Sequence, residues 1–243
     1  MPKPAALNQA MRVRRHQPTR LESFVDASFA FAITLVVIAV GHVPGSVPEM
    51  MHALHGLPTF AVCFALIARI WLTHRDWSRY YDLEDGIGAA LSLILVFIVL
   101  IFVYPMRMLF AQALMGWSDG WLSDGSVMPL QNVDELRTAY TVFGIGFGAI
   151  AIVFVLLYAH ALHRADHIGL DAGERIFTRM RRMDWCGQVA INLFSIALAH
   201  WLTMDNALAY SAPGAIYMLN AATGMLCGRH YRKQFAALPS SGA

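Results

Sequence analysis

An all-α membrane protein with six transmembrane helices is the fold class this sequence predicts, on three observations. Apolar residues make up 57% of the 243 residues and charged residues only 14%, with a mean hydropathy of +0.50, well outside the balance of a water-soluble domain. Apolar runs long enough to cross about 30 Å of hydrocarbon recur six times along the chain. The Lys and Arg residues alternate in density between the connections, dense on one side of the runs and sparse on the other.

The first span runs from Leu21 to Val43 and stops at the helix-breaking cluster Pro44, Gly45 and Pro48. It carries no small-residue cleavage site and reads as a retained helix. The second span covers Ala53 to Thr73 and the third Gly86 to Pro105. Between Met106 and Leu136 lie Trp117, Asp119, Gly120, Trp121, Asp124, Gly125 and Pro129, a mixture that predicts an interfacial loop. The fourth span covers Ala139 to Leu162, the fifth Met183 to Leu202 and the sixth Ala207 to Cys227. A very short turn at Met204, Asp205 and Asn206 separates the last two, which predicts an antiparallel hairpin. The chain thus divides into a basic segment 1–20, a six-helix domain 21–228 and a tail 229–243.

Charge fixes the orientation. One side holds fifteen cations, namely Lys3, Arg12, Arg14, Arg15, Arg20, Arg75, Arg79, Arg164, Arg175, Arg179, Arg181, Arg182, Arg229, Arg232 and Lys233, against Arg107 and Arg137 on the other. The positive-inside rule puts both termini in the cytoplasm. Because each cluster abuts a span, the basic surface reads as a topology signal and not as a nucleic-acid footprint. Cys63, Cys186 and Cys227 each fall in an apolar run with no paired spacing and read as buried thiols. The ten histidines form no HExxH and no paired mid-membrane set, and no nucleophile elbow or phosphate loop appears. Neither an enzyme nor a resident cofactor is expected, and no soluble partner is implied.

Chemistry concentrates on the first span. Asp26 lies one turn inside it, where a carboxylate needs a cation, a donor or water. Phe31, Thr34, Leu35 and Ile38 recur at i, i+3, i+4 and i+7, and Ala27 extends that face by a turn. Copies of this face around an axis would make bulky apolar rings with one hydroxyl ring between them, able to exclude water from a pore; the same periodicity also serves ordinary helix packing. Trp71 and His74 share a face at the end of the second span, at the depth of Asp26. A network from Asp26 to Trp71, His74 or Arg69 would satisfy the carboxylate. Gln188, Asn192 and Ser195 on the fifth span, and Asn220, Thr223 and Gly224 on the sixth, read as helix-packing positions.

The stretch Arg20-Leu21-Glu22-Ser23-Phe24-Val25-Asp26, followed by Phe29 to Leu35, resembles the R-x-x-x-F-S-D signature that opens the first helix of the transmembrane protein 175 family. The Trp71 and His74 pair and Pro105 at the end of the third span are similar to that family as well. The resemblance implies a homotetramer around a central pore lined by the first helix, conducting potassium by leak in a bacterial-type inner membrane. It implies a constriction at Phe31, Leu35 and Ile38, with Thr34 as a hydroxyl layer where K+ would pass transiently. Arg20, Phe24 and Asp26 would anchor to Trp71 and His74. Val25 stands where the family has Ser, and Phe31 where bacterial members carry Ile or Leu. A non-conducting membrane scaffold or accessory subunit of the same fold is the competing expectation.

Overall fold

Most of the helices begin at a side chain that accepts from a free amide of the first turn. In the computed structural model, which describes residues 11–39, 44–123, 125–202, 207–219, 228 and 231, Thr19 caps α1 (Arg20–Ile38) and Ser46 caps the short α2 (Val47–Ala53). A 3-10 turn (Leu54–Gly56) leads into α3 (Leu57–Tyr81), which Asp82 ends in the left-handed conformation with φ 51°. Asp85 caps α4 (Gly86–Trp117), Asn132 caps α5 (Val133–His163), and Asp171 with Glu174 forms a reciprocal capping box on α6 (Ala172–Trp201). Then comes α7 (Ala207–Ala215) and a 3-10 turn (Ile216–Met218). The fold is all-helical among the described residues.

Three boundaries differ from the expectation. Pro105 does not end the third span: α4 continues to Trp117. Proline removes one ladder hydrogen bond, and packing outweighs that loss here, since Met106 and Arg107 just beyond it are buried at 0% and 5% exposure. Residues 106–117 are therefore helix and the connecting loop is correspondingly shorter. It folds back on α4, where Arg107 Nη1 donates to Ser126 Oγ at 2.8 Å. The second and fifth spans are likewise cores of longer helices, α3 running on to Tyr81 and α6 starting at Ala172.

Among the described residues, four stretches are long and apolar enough to cross a membrane: 20–38, 47–81, 86–117 and 133–163. The fifth predicted span lies in α6, whose N-terminal half carries Arg175, Arg179, Arg181, Arg182 and Asp184. Asn220, Thr223, Gly224 and Cys227 of the sixth lie outside the described residues. Ser195 Oγ donates to the Pro213 carbonyl at 2.8 Å, and Tyr217 Oη to Asn192 Oδ1 at 3.0 Å. Position thus falls along α6 as it rises beyond 213, the antiparallel arrangement expected. Of the described cysteines, Cys63 is buried and Cys186 is exposed on the surface of α6, which corrects the buried reading for the latter.

Helix α1 packs on α3 and α4, α4 on α5, and α5 on α6. Phe102, Phe143, Phe147 and Tyr217 form an aromatic ladder across α4, α5 and the last turn, with centroids 5.2–6.4 Å apart. Close approach there depends on glycine, because a Cβ at Gly146 would lie 2.4 Å from Phe102 Cδ2. Gly146→Ala is therefore expected to destabilise the fold by about 1–3 kcal/mol, read as a lower melting midpoint of the detergent-solubilised protein; an unchanged midpoint would mean the ladder tolerates a methyl group.

Candidate functional site

Two opposite faces divide α1. Val25, Phe29, Ala32 and Val36 are buried at 0–2% and seat the helix on α3 and α4. Ala27, Phe31, Thr34 and Ile38 stand on the other side, all exposed, Phe31 at 55% and Ile38 at 63%. Leu35 is intermediate and leans on the core. Apart from Leu35, the predicted stripe is thus an exposed side of α1 among the described residues, and Phe31 to Ile38 spans about 10 Å along the axis. Thr34 Oγ1 donates its proton to the Ala30 carbonyl at 3.1 Å. Its lone pairs are left to accept from something beyond the helix.

Below the stripe, Asp26 Oδ1 accepts from Trp71 Nε1 at 2.7 Å, joining α1 to α3. The Arg75 guanidinium sits 5.2 Å over the Trp71 ring. His74 turns elsewhere: its Nε2 is 2.9 Å from Ser92 Oγ on α4. Ser92 spends its only proton on the Gly88 carbonyl at 2.8 Å, so His74 Nε2 is the donor. Trp77 Nε1 continues the path to the Leu157 carbonyl of α5 at 3.1 Å. Arg20 and Phe24 remain on the exposed side of α1, and Arg69 lies 5.9 Å over Trp185 instead of reaching Asp26. Val25 points into the apolar core at 0% exposure, where a hydroxyl would need a partner and a methyl does not.

A hydrogen bond to a charged acceptor contributes about 1.5–3 kcal/mol. Trp71→Phe, which keeps the ring and deletes the donor, is expected to lower stability within that range, and Asp26→Asn to lower it less. Thermal unfolding of both variants checks this, and equal, negligible shifts would show that Asp26 is satisfied by water.

The sequence reading missed a second layer at the same end. Residues 11–19 form an extended strap beneath the bundle. The amides of Arg14 and Arg15 donate to the Arg79 carbonyl at 2.9 and 3.2 Å. Arg14 Nη2 meets Glu174 Oε2 at 2.7 Å and Nη1 donates to the Tyr80 carbonyl at 2.9 Å. Glu174, fully buried, also accepts from the Arg12 and Asp171 amides at 3.1 Å each. Arg15 is paired with Glu84 and Asp82, and Asp85 lies 2.9 Å from His160 Nε2 and 3.6 Å from Arg164 Nε. Burial alone would raise both carboxyls; the Arg14 guanidinium and amides hold Glu174 below the usual carboxylate range, and the Gly88 amide, His160 and Arg164 do the same for Asp85. The one sequence signal was the Asp171-x-x-Glu174 capping spacing.

Comparison with known proteins adds the following. Residues 20–105 match the profile of the family described as endosomal/lysosomal potassium channel TMEM175. A protein of Marivirga tractuosa described as a potassium channel is 32% identical over 176 residues, covering 71% of each chain. The crystal structure of a variant of the potassium channel MtTMEM175, in complex with a Nanobody-MBP fusion protein, superposes with a TM-score of 0.77 at 26% identity, over 92% of this chain and 97% of that one.

Proposed function

This chain belongs to the TMEM175 potassium-channel family, and from that premise we propose that four copies assemble around a central pore lined by α1 and conduct potassium in preference to sodium. The observation that carries this reading is the exposed stripe of Ala27, Phe31, Thr34 and Ile38 on a helix whose opposite face, Val25, Phe29, Ala32 and Val36, is buried. A face so apolar, left bare by its own chain, calls for lipid or another copy, and the single hydroxyl at Thr34 favours an axis over lipid.

On this reading Phe31, Leu35 and Ile38 form apolar rings too narrow and dry for a hydrated ion at rest. Thr34 oxygens, already donating to Ala30, offer lone pairs that replace part of the hydration of a passing K+. The Asp26–Trp71 bond holds α1 to α3, and the His74–Ser92 bond holds α3 to α4, so the rings keep a fixed radius. No resident cofactor enters the account; K+ is the cargo. The gathering of Arg14, Arg15, Arg79 and Arg175 at the strap end supports cytoplasmic termini in a bacterial-type inner membrane.

Native mass spectrometry of the detergent-solubilised protein, paired with potassium efflux from liposomes, tests the assembly. Four copies with efflux are expected. A folded tetramer without efflux would favour the scaffold, and a folded monomer would remove the pore.

A further inference from the structure

The polar face of α6 does something that helix packing does not require. Asp184, Gln188, Asn192 and Ser195 stand at i, i+4, i+8 and i+11 and are buried at 9%, 0%, 1% and 0% exposure. The outer two are satisfied: Asn192 Nδ2 donates to the Gln188 carbonyl at 2.7 Å, its Oδ1 accepts from Tyr217, and Ser195 donates to Pro213. The inner turn is not. Among the described residues neither amide atom of Gln188 has a partner, nor does Asp184 Oδ1, nor Trp185 Nε1. A buried polar atom left dry forfeits the hydrogen bonds it made in water, and four in neighbouring side chains would weigh heavily against the marginal stability of a fold.

Gln188 shares a helical face with Asp184, four residues before it, and with Trp185, three residues before it, a spacing that bridging water can span. We infer that this turn holds an internal water cluster, a hydrated site in the wall of each subunit on a helix that carries none of the α1 stripe. The donor set decides for water over a cation. Gln188 Oε1 and Asp184 Oδ1 accept, whereas Gln188 Nε2 and Trp185 Nε1 donate; a bound water uses both kinds, and a metal ion uses only acceptors. Positive charge is supplied already, because Arg69 and Arg181 act on Asp184 and Arg69 lies over the Trp185 ring. Trp185 is held in place by stacking on Phe154 at 4.3 Å, which aims its N–H consistently.

Radiolytic hydroxyl labelling of the intact protein, read by mass spectrometry, tests this with a built-in control. Trp77 and Trp185 are equally buried at 2% exposure, but Trp77 Nε1 is bonded to the Leu157 carbonyl. Trp185 is expected to label several-fold faster than Trp77 in the native chain, and Gln188→Met to bring it down to the Trp77 rate without raising the melting midpoint. Equal labelling of the two tryptophans in the native chain overturns the proposal, whether or not the variant folds. So does a Gln188→Met protein that melts higher than native, the behaviour of a dry unpaired amide replaced by an apolar isostere.

Discussion

Ile38→Asn is expected to raise potassium flux through reconstituted protein by about tenfold, equivalent to removing about 1.4 kcal/mol from the barrier. The reason is wetting. Ile38 is the most exposed of the predicted constriction residues, at 63%, so in the proposed tetramer an amide there meets the axis and does not disturb the packing against α3 and α4. Water that is excluded by a ring of branched alkyl groups is retained by a ring of amides. Leu35 is the less clean site, because it leans on the core and Leu35→Asn would cost folding stability as well as change the pore. Single-channel recording of Ile38→Asn beside the native protein checks the prediction. An unchanged conductance from a protein of native stability would take the gate away from this end of α1.

Arg14→Met is expected to be the most destabilising substitution at the strap, by about 3 kcal/mol, because it leaves a fully buried carboxylate at Glu174 without its cation. For a chain of this size that corresponds to a fall of roughly 6–12 °C in the melting midpoint. Glu174→Gln should be milder, since the Arg14 guanidinium keeps the Tyr80 carbonyl as an acceptor. The pH dependence has a definite sign. Glu174 is held below its ordinary range in the folded chain, so its contribution is fully present above the unfolded value of about 4.3. It fades as pH falls from there through the lower folded value. The gap in stability between native and Glu174→Gln should therefore be constant near neutrality and close only in acid, and a gap that closed near neutrality would contradict the assignment to Glu174.

The strap also shows where a sequence stops being informative. Apolar runs and the periodic stripe on α1 are local and were legible: Ala27, Phe31, Thr34 and Ile38 share one face as their spacing put them, with Leu35 turned partly to the core, whereas spacing left that face open to pore lining or helix packing. The Asp26–Trp71 bond was legible because membrane depth narrows the choice of partner. His74 bonds to Ser92, eighteen residues away on another helix, and nothing in spacing selects that pairing over Asp26. Arg14 finds Glu174 at a separation of 160 residues, which made its arginine look like a topology signal alone. Pro105 misled for a physical reason: its effect on a helix depends on whether neighbours compensate the lost bond, and buried Met106 and Arg107 do. The charged start of α6 read as loop because its apolar face begins only near Trp185, although the Asp171 and Glu174 cap marked the true beginning.

The central claim is that this chain conducts potassium in preference to sodium along α1. Its most direct test is the reversal potential of the purified native protein in a planar bilayer with potassium on one side and sodium on the other. A reversal potential displaced toward the potassium equilibrium value is the predicted result. A reversal potential at zero from a conducting protein would contradict the selectivity assigned to the Thr34 layer, and the absence of current from a folded tetramer would contradict the channel itself.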